Sequence, residues 1–440
     1  MAEIQAFRGI VYNTGKVPSL DDVVAPPYDV INDEGREKLY ARDPHNIVRL
    51  ILGKEFQGDN EKNNKYSRAA GFFSQWQKNG VLVRDATPAV YLYNQEYESE
   101  GKRKVRKGFL VRIKLEAFDR GIVLPHEATL AKPVEDRLKL FRAVECNLSP
   151  VFGLYADREK HLDGLLEEFE RGLPAEVMKD GDGAGHEMRR LTDVSKIAKI
   201  VDFMKDRKVI IADGHHRYTT ALAYKKEMEE KFGPDPKAPY NYVLMFLTNM
   251  YGDGISVGPI HRLAHGVDFT KAGLLDSLRE VFEVEEVRGG DDVPAPLAQK
   301  LKESFGRGTA FILYFGQGEY CLVRQKAGVN LADRIALDGP VELKLLDVSV
   351  VHALLIEGAL KITKEAVKGE KNIIYIKDTR EAVRLVDAGK AKLACLMNPT
   401  RVDQVEAVAG RGYLMPQKST FFYPKLLSGL VMNPIGRAED

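Results

Sequence analysis

The sequence is poor in the features that mark the commonest chemistries. Its three cysteines, Cys146, Cys321 and Cys395, are widely spaced with no CxxC pair. That count supplies no disulfide framework and no recognisable zinc site. No run approaches the ~18 apolar residues of a membrane span. The opening MAEIQAFRGIVYN lacks the long apolar stretch of a signal peptide, so a cytoplasmic location without a membrane partner is expected. Charge of one sign is missing too: 65 Lys and Arg stand against 64 Asp and Glu, a net charge of +1. No overall field favours nucleic acid, and none is expected as a partner. HExxH, GxSxG, GxGxxG, the P-loop GxxxxGK[ST] and the kinase catalytic loop are all absent. A metallopeptidase, a serine hydrolase, a Rossmann dehydrogenase and a protein kinase therefore lack their usual marks.

The composition is otherwise that of a folded protein. The chain has 440 residues, 44% hydrophobic and 29% charged, enough for two or three domains with sizeable cores. Strand-like and helix-like segments alternate, which predicts an α/β (α+β) fold. Three consecutive parts are expected: an N-terminal α/β segment over 1–115, a core over 116–265 and a C-terminal α/β segment over 266–440. Gly172–Glu187, Phe232–Pro239 and Arg288–Pro296 are rich in Gly, Pro and Asp and read as loops. AVYLYNQEYE and KGFLVRIKLEAF read as strands. The charge run between them, with Lys102, Arg103, Lys104, Arg106 and Lys107, reads as a solvated hairpin tip, with a phosphate-steering patch as the alternative.

The densest signal is IADGHHRYTT, Ile211 to Thr220. It follows the apolar run VIIA, a buried strand, and precedes a helix whose apolar positions are Tyr218, Ala221, Leu222, Met228 and Phe232. Gly214, His215, His216 and Arg217 thus fall where a strand becomes a helix. N–H groups at a helix start have no internal acceptor, and the helix dipole is positive there. Such a turn attracts phosphate. Gly214 lets a ligand approach the backbone, and Arg217 can fork onto phosphate oxygens. The plainer alternative makes Asp213 an ordinary N-cap.

Further candidates are distributed along the chain. His126 and Glu127 of LPHE follow the apolar run GIVL, near a strand end, where a Glu can serve as general base. Their alternative is a capping or surface Glu beside a hydrogen-bonded His. Asp136 and Arg137, adjacent on a helix, read as surface charges that point in different directions. Pro26 to Val30, PPYDV, reads as a rigid elbow, and His261–Arg262 as a second His-Arg pair, more structural than functional. Lys418, Ser419 and Thr420 have the composition of a phosphate-contacting loop without P-loop glycines, and their hydroxyls can equally cap the turn.

Taken together, APPYDVI, LPHEAT with its downstream DRL, NLSPVFGLYAD, IADGHHRY, GPIHRL and MPQKSTFFYPKLLSGL resemble a prokaryotic family of unknown function, DUF1015, over most of the chain. The middle part also resembles the ParB/sulfiredoxin superfamily, whose Gly-x-His-Arg or Gly-x-Arg-Arg turn holds nucleotide phosphates. Gly214, His216 and Arg217 match that turn, with His215 in the variable slot. Sulfiredoxin needs Cys in that slot, so its redox chemistry is not expected. Free-serine kinases have a similar Asp-Gly-His-His-Arg turn and an upstream catalytic Glu, for which Glu127 is the candidate. An insertion around residues 157–190 would account for the long spacing. The resemblance implies ATP or ADP as cofactor, with Mg²⁺ bridging the phosphates and Asp213 as metal ligand or orienter. It implies phosphoryl transfer to a small hydroxyl-bearing metabolite, free L-serine first, with Glu127, Asp213 and His126 as the catalytic set. The alternative is a nucleotide-sensing binding protein without turnover. The sequence does not name the oligomeric state.

Overall fold

A computed structural model describes residues 1–369 and 371–437. The fold is of the expected mixed α/β class. The chain forms two compact units. The first takes Met1–Pro125, Thr129–Ser256 and the stretch from Pro424; the second takes His126–Ala128 and Val257–Tyr423. Neither coincides with one of the three consecutive parts, because the end of the chain returns to the first unit.

The first unit is built on a mixed sheet of nine strands among the described residues. From one edge the order is Val123–Leu124, Val209–Asp213, Val151–Tyr155, Tyr242–Asn249, Lys102–Lys114, Val90–Ser99, Gly185–Leu191 and Glu176–Lys179. Ile4–Gln5 pairs additionally with Lys102–Lys114. The central strand Tyr242–Asn249 is buried along its whole length, as its continuous apolar sequence predicts. The helix Ala131–Val144 is apolar on two sides. Leu138 and Phe141 enter the core against the sheet, while Leu140 and Val144 enter a second core with Ile47, Val48 and Trp76.

Three sequence expectations change here. The charge run is not a hairpin tip: the strand runs through it, and the turn is only Glu100-Gly101, both with positive φ. That is what a two-residue hairpin of primed type requires. Arg106 of this run is 1% exposed. The stretch Gly172–Glu187 is not all loop either. It supplies the strand Glu176–Lys179 and opens Gly185–Leu191, both added to the sheet edge. The helix His215–Phe232 buries Tyr218, Ala221, Tyr224 and Met228, whereas Phe232 at its end is 41% exposed.

The second unit is an antiparallel sheet of six strands among the described residues. Its order is Phe282–Arg288, Glu319–Gln325, Ala310–Tyr314, Leu393–Met397, His261–Ala264 and Ile373–Ile376. Leu263, Ile312, Leu322, Val383 and Leu396 form its core. A short helix Asp347–Val350 continues into a π-helical stretch, Val351–Ala359.

Candidate functional site

The strand Val209–Asp213 arrives at the turn with a bulge. Ile211 pairs with Gly153 and Asp213 with Phe152, so Ala212 is an extra residue. A bulge re-aims the side chains beyond it, and here it directs the last residue, Asp213. Gly214 then takes φ +88° and caps the helix His215–Phe232. Asp213 is therefore not the N-cap: that place belongs to Gly214, and no side chain caps the helix. Glycine is required twice over. The left-handed backbone disfavours a Cβ, and a Cβ would meet the Arg217 guanidinium at 2.9 Å.

The charges of the turn are paired with one another. Arg217 Nη2 donates to Asp213 Oδ2 at 2.7 Å, and Nη1 donates to the Pro150 carbonyl. Lys425 Nζ donates to Asp213 Oδ1 at 2.5 Å. Burial alone would raise the Asp213 carboxyl, but Lys425 and then Arg217 outweigh it and hold it well below the usual carboxylate range. His216 Nε2 accepts the Leu130 N–H at 3.0 Å, which leaves its ring proton on Nδ1. His215 is buried.

Lys425 is a site residue that the sequence reading did not single out. Two buried side chains place it. Gln95 Nε2 donates to the Lys425 carbonyl at 2.9 Å, and Arg106 donates to the Pro424 carbonyl and to Gln95 Oε1. Arg106 also lies 4.6 Å over the Phe152 ring, and burial pulls its pKa down to about 10. The signal was a charged residue at an inward position of a strand otherwise ending in a polar tip.

The remaining motifs of the first unit gather beside Arg217. Tyr28, Arg137, Ser149 and Arg217 line one slot of about 20 Å³. Arg137 is buried, lies 4.0 Å over the Tyr28 ring and donates to the Ile51 carbonyl at 2.7 Å. Adjacent Asp136 and Arg137 do not point apart: Arg137 Nε donates to Asp136 Oδ2 at 2.9 Å. The Tyr28 phenol is raised by burial and by Asp29, against the pull of Arg137 and Arg217. Ser149 Oγ lies 2.6 Å from Ser428 Oγ, and Ala25 and Ser428 exchange backbone hydrogen bonds. PPYDV, DRL, NLSP, DGHHR and LLSGL thus converge around two buried guanidinium groups.

The other candidates belong to the second unit. His126 is buried; its Nε2 lies 2.8 Å from Thr420 Oγ1, and its carbonyl accepts the Met415 N–H. Glu127 Oε1 accepts the Ser419 N–H at 3.0 Å. Ser419 Oγ donates to the Pro416 carbonyl, and Lys418 is exposed with φ +56°. Arg262 Nη2 donates to the Lys418 carbonyl at 2.8 Å. His261 Nδ1 accepts the Met397 N–H at 3.1 Å, and Nε2 lies 2.9 Å from Thr379 Oγ1. Burial, then Arg262, lowers the His261 pKa to about 4. The PIHR pair is thus a buried scaffold for this loop.

Asp213 does not fit the expected magnesium role, because each of its oxygens already holds a cation. Among the described residues no group of three or more His, Cys, Asp or Glu is arranged to hold a metal ion. No helix among them is long and apolar enough to cross a membrane.

The family described as "Protein of unknown function (DUF1015)" matches residues 4–349. The chain belongs to that family. No curated protein matches it. Among solved structures, a conserved hypothetical protein from Pyrococcus furiosus is 13% identical with a TM-score of 0.32, over 72% of this chain and 92% of that one. A free serine kinase in complex with AMP is 14% identical with a TM-score of 0.34, over 72% and 86%. SbnI from Staphylococcus aureus, truncated at its C-terminus, is 10% identical with a TM-score of 0.30, over 75% and 84%.

Proposed function

We propose that this DUF1015 protein binds nucleotide phosphates at the turn Asp213–Arg217 and transfers a phosphoryl group to the hydroxyl of a small metabolite. ATP or ADP is the nucleotide to test, and free L-serine the first acceptor. The observation that carries the reading is the convergence of a bulged strand end, a left-handed Gly214 and a helix N-terminus beside buried Arg137 and Arg217. Backbone N–H groups and guanidinium groups together neutralise phosphate charge, which is most of what phosphoryl transfer asks of a protein.

The pairing of Asp213 suggests how a phosphate enters. Lys425 stays on Asp213 when Arg217 turns to a phosphate, so the carboxylate is not left without a partner. The slot of about 20 Å³ holds about one water molecule, so its side chains must part for a nucleotide. No metal is assigned to Asp213. Glu127 belongs to the second unit, where one of its oxygens accepts the Ser419 N–H, and no general base is assigned at this turn. A second reading, nucleotide sensing without turnover, is favoured by the internal pairing of Arg217 and Asp213, since a sensor needs no free carboxylate.

The test is incubation with ATP or ADP, Mg²⁺ and a panel of amino acids and hydroxyl metabolites, read as phosphorylated product, alongside calorimetric nucleotide binding. Arg217→Lys keeps the charge beside Asp213 but loses the fork. It should weaken nucleotide binding by about 1.5–3 kcal/mol; unchanged affinity removes the turn as the phosphate site. Binding without any product in the wild type leaves the sensor reading.

A further inference from the structure

The second unit has a cavity that the nucleotide reading does not use. It measures about 280 Å³, and its walls include Thr309, Gln325, Asn330, Asp347, Arg401 and Gln404. Asp347 opens the helix Asp347–Val350, and Arg401 is the N-cap of the helix Val402–Ala409. A wider groove of about 490 Å³ shares Gly308, Thr309 and Gln325 with it.

Two charged groups in this cavity are incompletely answered. The Asp347 carboxyl has the Thr309 hydroxyl as hydrogen-bond partner, and burial pushes its pKa up to about 7 against the pull of Thr309 and Arg401. No ion pair joins it to a cation among the described residues. Arg401 directs Nε and Nη2 to Asp403, each at 3.0 Å. Nη1 has no acceptor among the described residues, and it lies beside Gly306, where a Cβ would come within 3.2 Å of it. A half-buried carboxyl whose pKa burial raises, with no cation paired to it, is unfavourable; asparagine could hydrogen-bond Thr309 there without that penalty. The aspartate is explained if a cation arrives with a ligand, and the open edge of Arg401 if the same ligand brings an anion.

The walls define the rest. Gln325 is fixed, its Oε1 accepting the Thr309 N–H at 3.2 Å and its Nε2 donating to the Val329 carbonyl at 2.8 Å. Gln404 Oε1 accepts the Arg401 N–H at 3.0 Å, which leaves its Nε2 to donate. The volume lies just below the ~300–1,000 Å³ of pockets for drug-sized ligands, a size that suits a small metabolite.

We propose that this cavity binds a small polar α-amino acid as the zwitterion, its ammonium on Asp347 and its carboxylate on Arg401 Nη1 and the N-terminus of Val402–Ala409. This inference does not depend on the nucleotide reading, and its test uses no nucleotide. The full chain is titrated calorimetrically with the protein L-amino acids. Alongside them run amines that lack the carboxylate and hydroxy acids that lack the amine. One or a few small polar amino acids should bind, and the matched amine and hydroxy acid at least tenfold more weakly. Asp347→Asn should lower affinity at least tenfold without lowering the melting temperature, and Arg401→Lys should do the same. Titration in two buffers of different ionisation heat should show proton release on binding at pH 7. No amino acid binding at millimolar concentration would overturn the proposal. So would unchanged affinity in Asp347→Asn, or an amine alone binding as tightly as the amino acid.

Discussion

Asp213 in the first unit and Asp347 in the second are both largely enclosed aspartates beside a helix N-terminus, and they are handled in opposite ways. Asp213 is held by Lys425 and Arg217 and its acidity is strengthened; among the described residues Asp347 has only the Thr309 hydroxyl as hydrogen-bond partner, and its pKa is pushed up to about 7. Paired charges fix a geometry: they position Arg217 over Gly214 and keep the turn shut. A charge left without a counter-ion is a liability to the folded chain unless something else brings the counter-ion. On the readings proposed above, the first arrangement is a scaffold that a phosphate would have to compete with, and the second an unmatched charge that a ligand would complete.

The comparison breaks first at Asp213. Asp213→Ala leaves Lys425 and Arg217 facing each other without their shared anion. The loss of one partner from a buried ion pair is worth about 3–5 kcal/mol, and chemical denaturation should show a destabilisation of that size. Lys425→Met in the same chain should restore part of it. A loss under about 1 kcal/mol would mean that the pair is solvent-screened and that Arg217 is free to bind phosphate at no cost.

Asp347 should behave in the reverse sense with pH. Its folded pKa, about 7, lies above the ordinary 3.8, so between those values the folded state retains a proton that the unfolded state has released. Stability must then fall as pH rises from about 4 to 7 and stay low above that. Asp347→Asn has no proton to lose. It should match the wild type near pH 4 and exceed it by about 2–4 kcal/mol at pH 8. For Asp213 the folded pKa is depressed, so its contribution is complete above the unfolded value near 4 and is lost only as pH falls below it. Melting curves of the two variants against pH separate the two aspartates directly.

What could be read from the sequence follows the same division. The strand, the glycine and the helix of IADGHHR were legible because each is a local rule: an apolar run, a residue free of Cβ and a helical period. The central buried strand was legible for the same reason. The partners of Asp213 were not, because Lys425 lies far along the chain and is brought back by Gln95 and Arg106. The burial of Arg106 and Arg137 was equally hidden, since a charge run looks solvated until the sheet it crosses is known. Gly172–Glu187 read as loop because Gly and Asp dominate it, yet pairing with Val90–Ser99 overrides that propensity. Asp347 has no motif around it at all; only the cavity gives it meaning.

The smallest effect concerns the loop Pro416–Thr420, which the sequence likened to a phosphate loop. Its polar atoms are turned inward: Ser419 N–H to Glu127, Ser419 Oγ to Pro416, the Lys418 carbonyl to Arg262. The Lys418 side chain is exposed on a left-handed backbone of φ +56°. Lys418→Gly relieves about 1 kcal/mol of backbone strain and gives back roughly 0.5–1 kcal/mol through a freer unfolded chain. The net change in stability should therefore stay within about 0.5 kcal/mol, measured by denaturant melts. If the phosphates are held at the Asp213–Arg217 turn, nucleotide affinity should not move either. A tenfold fall in affinity at unchanged stability would put the Lys418 ammonium on the nucleotide, and this loop would then be a phosphate contact rather than a scaffold.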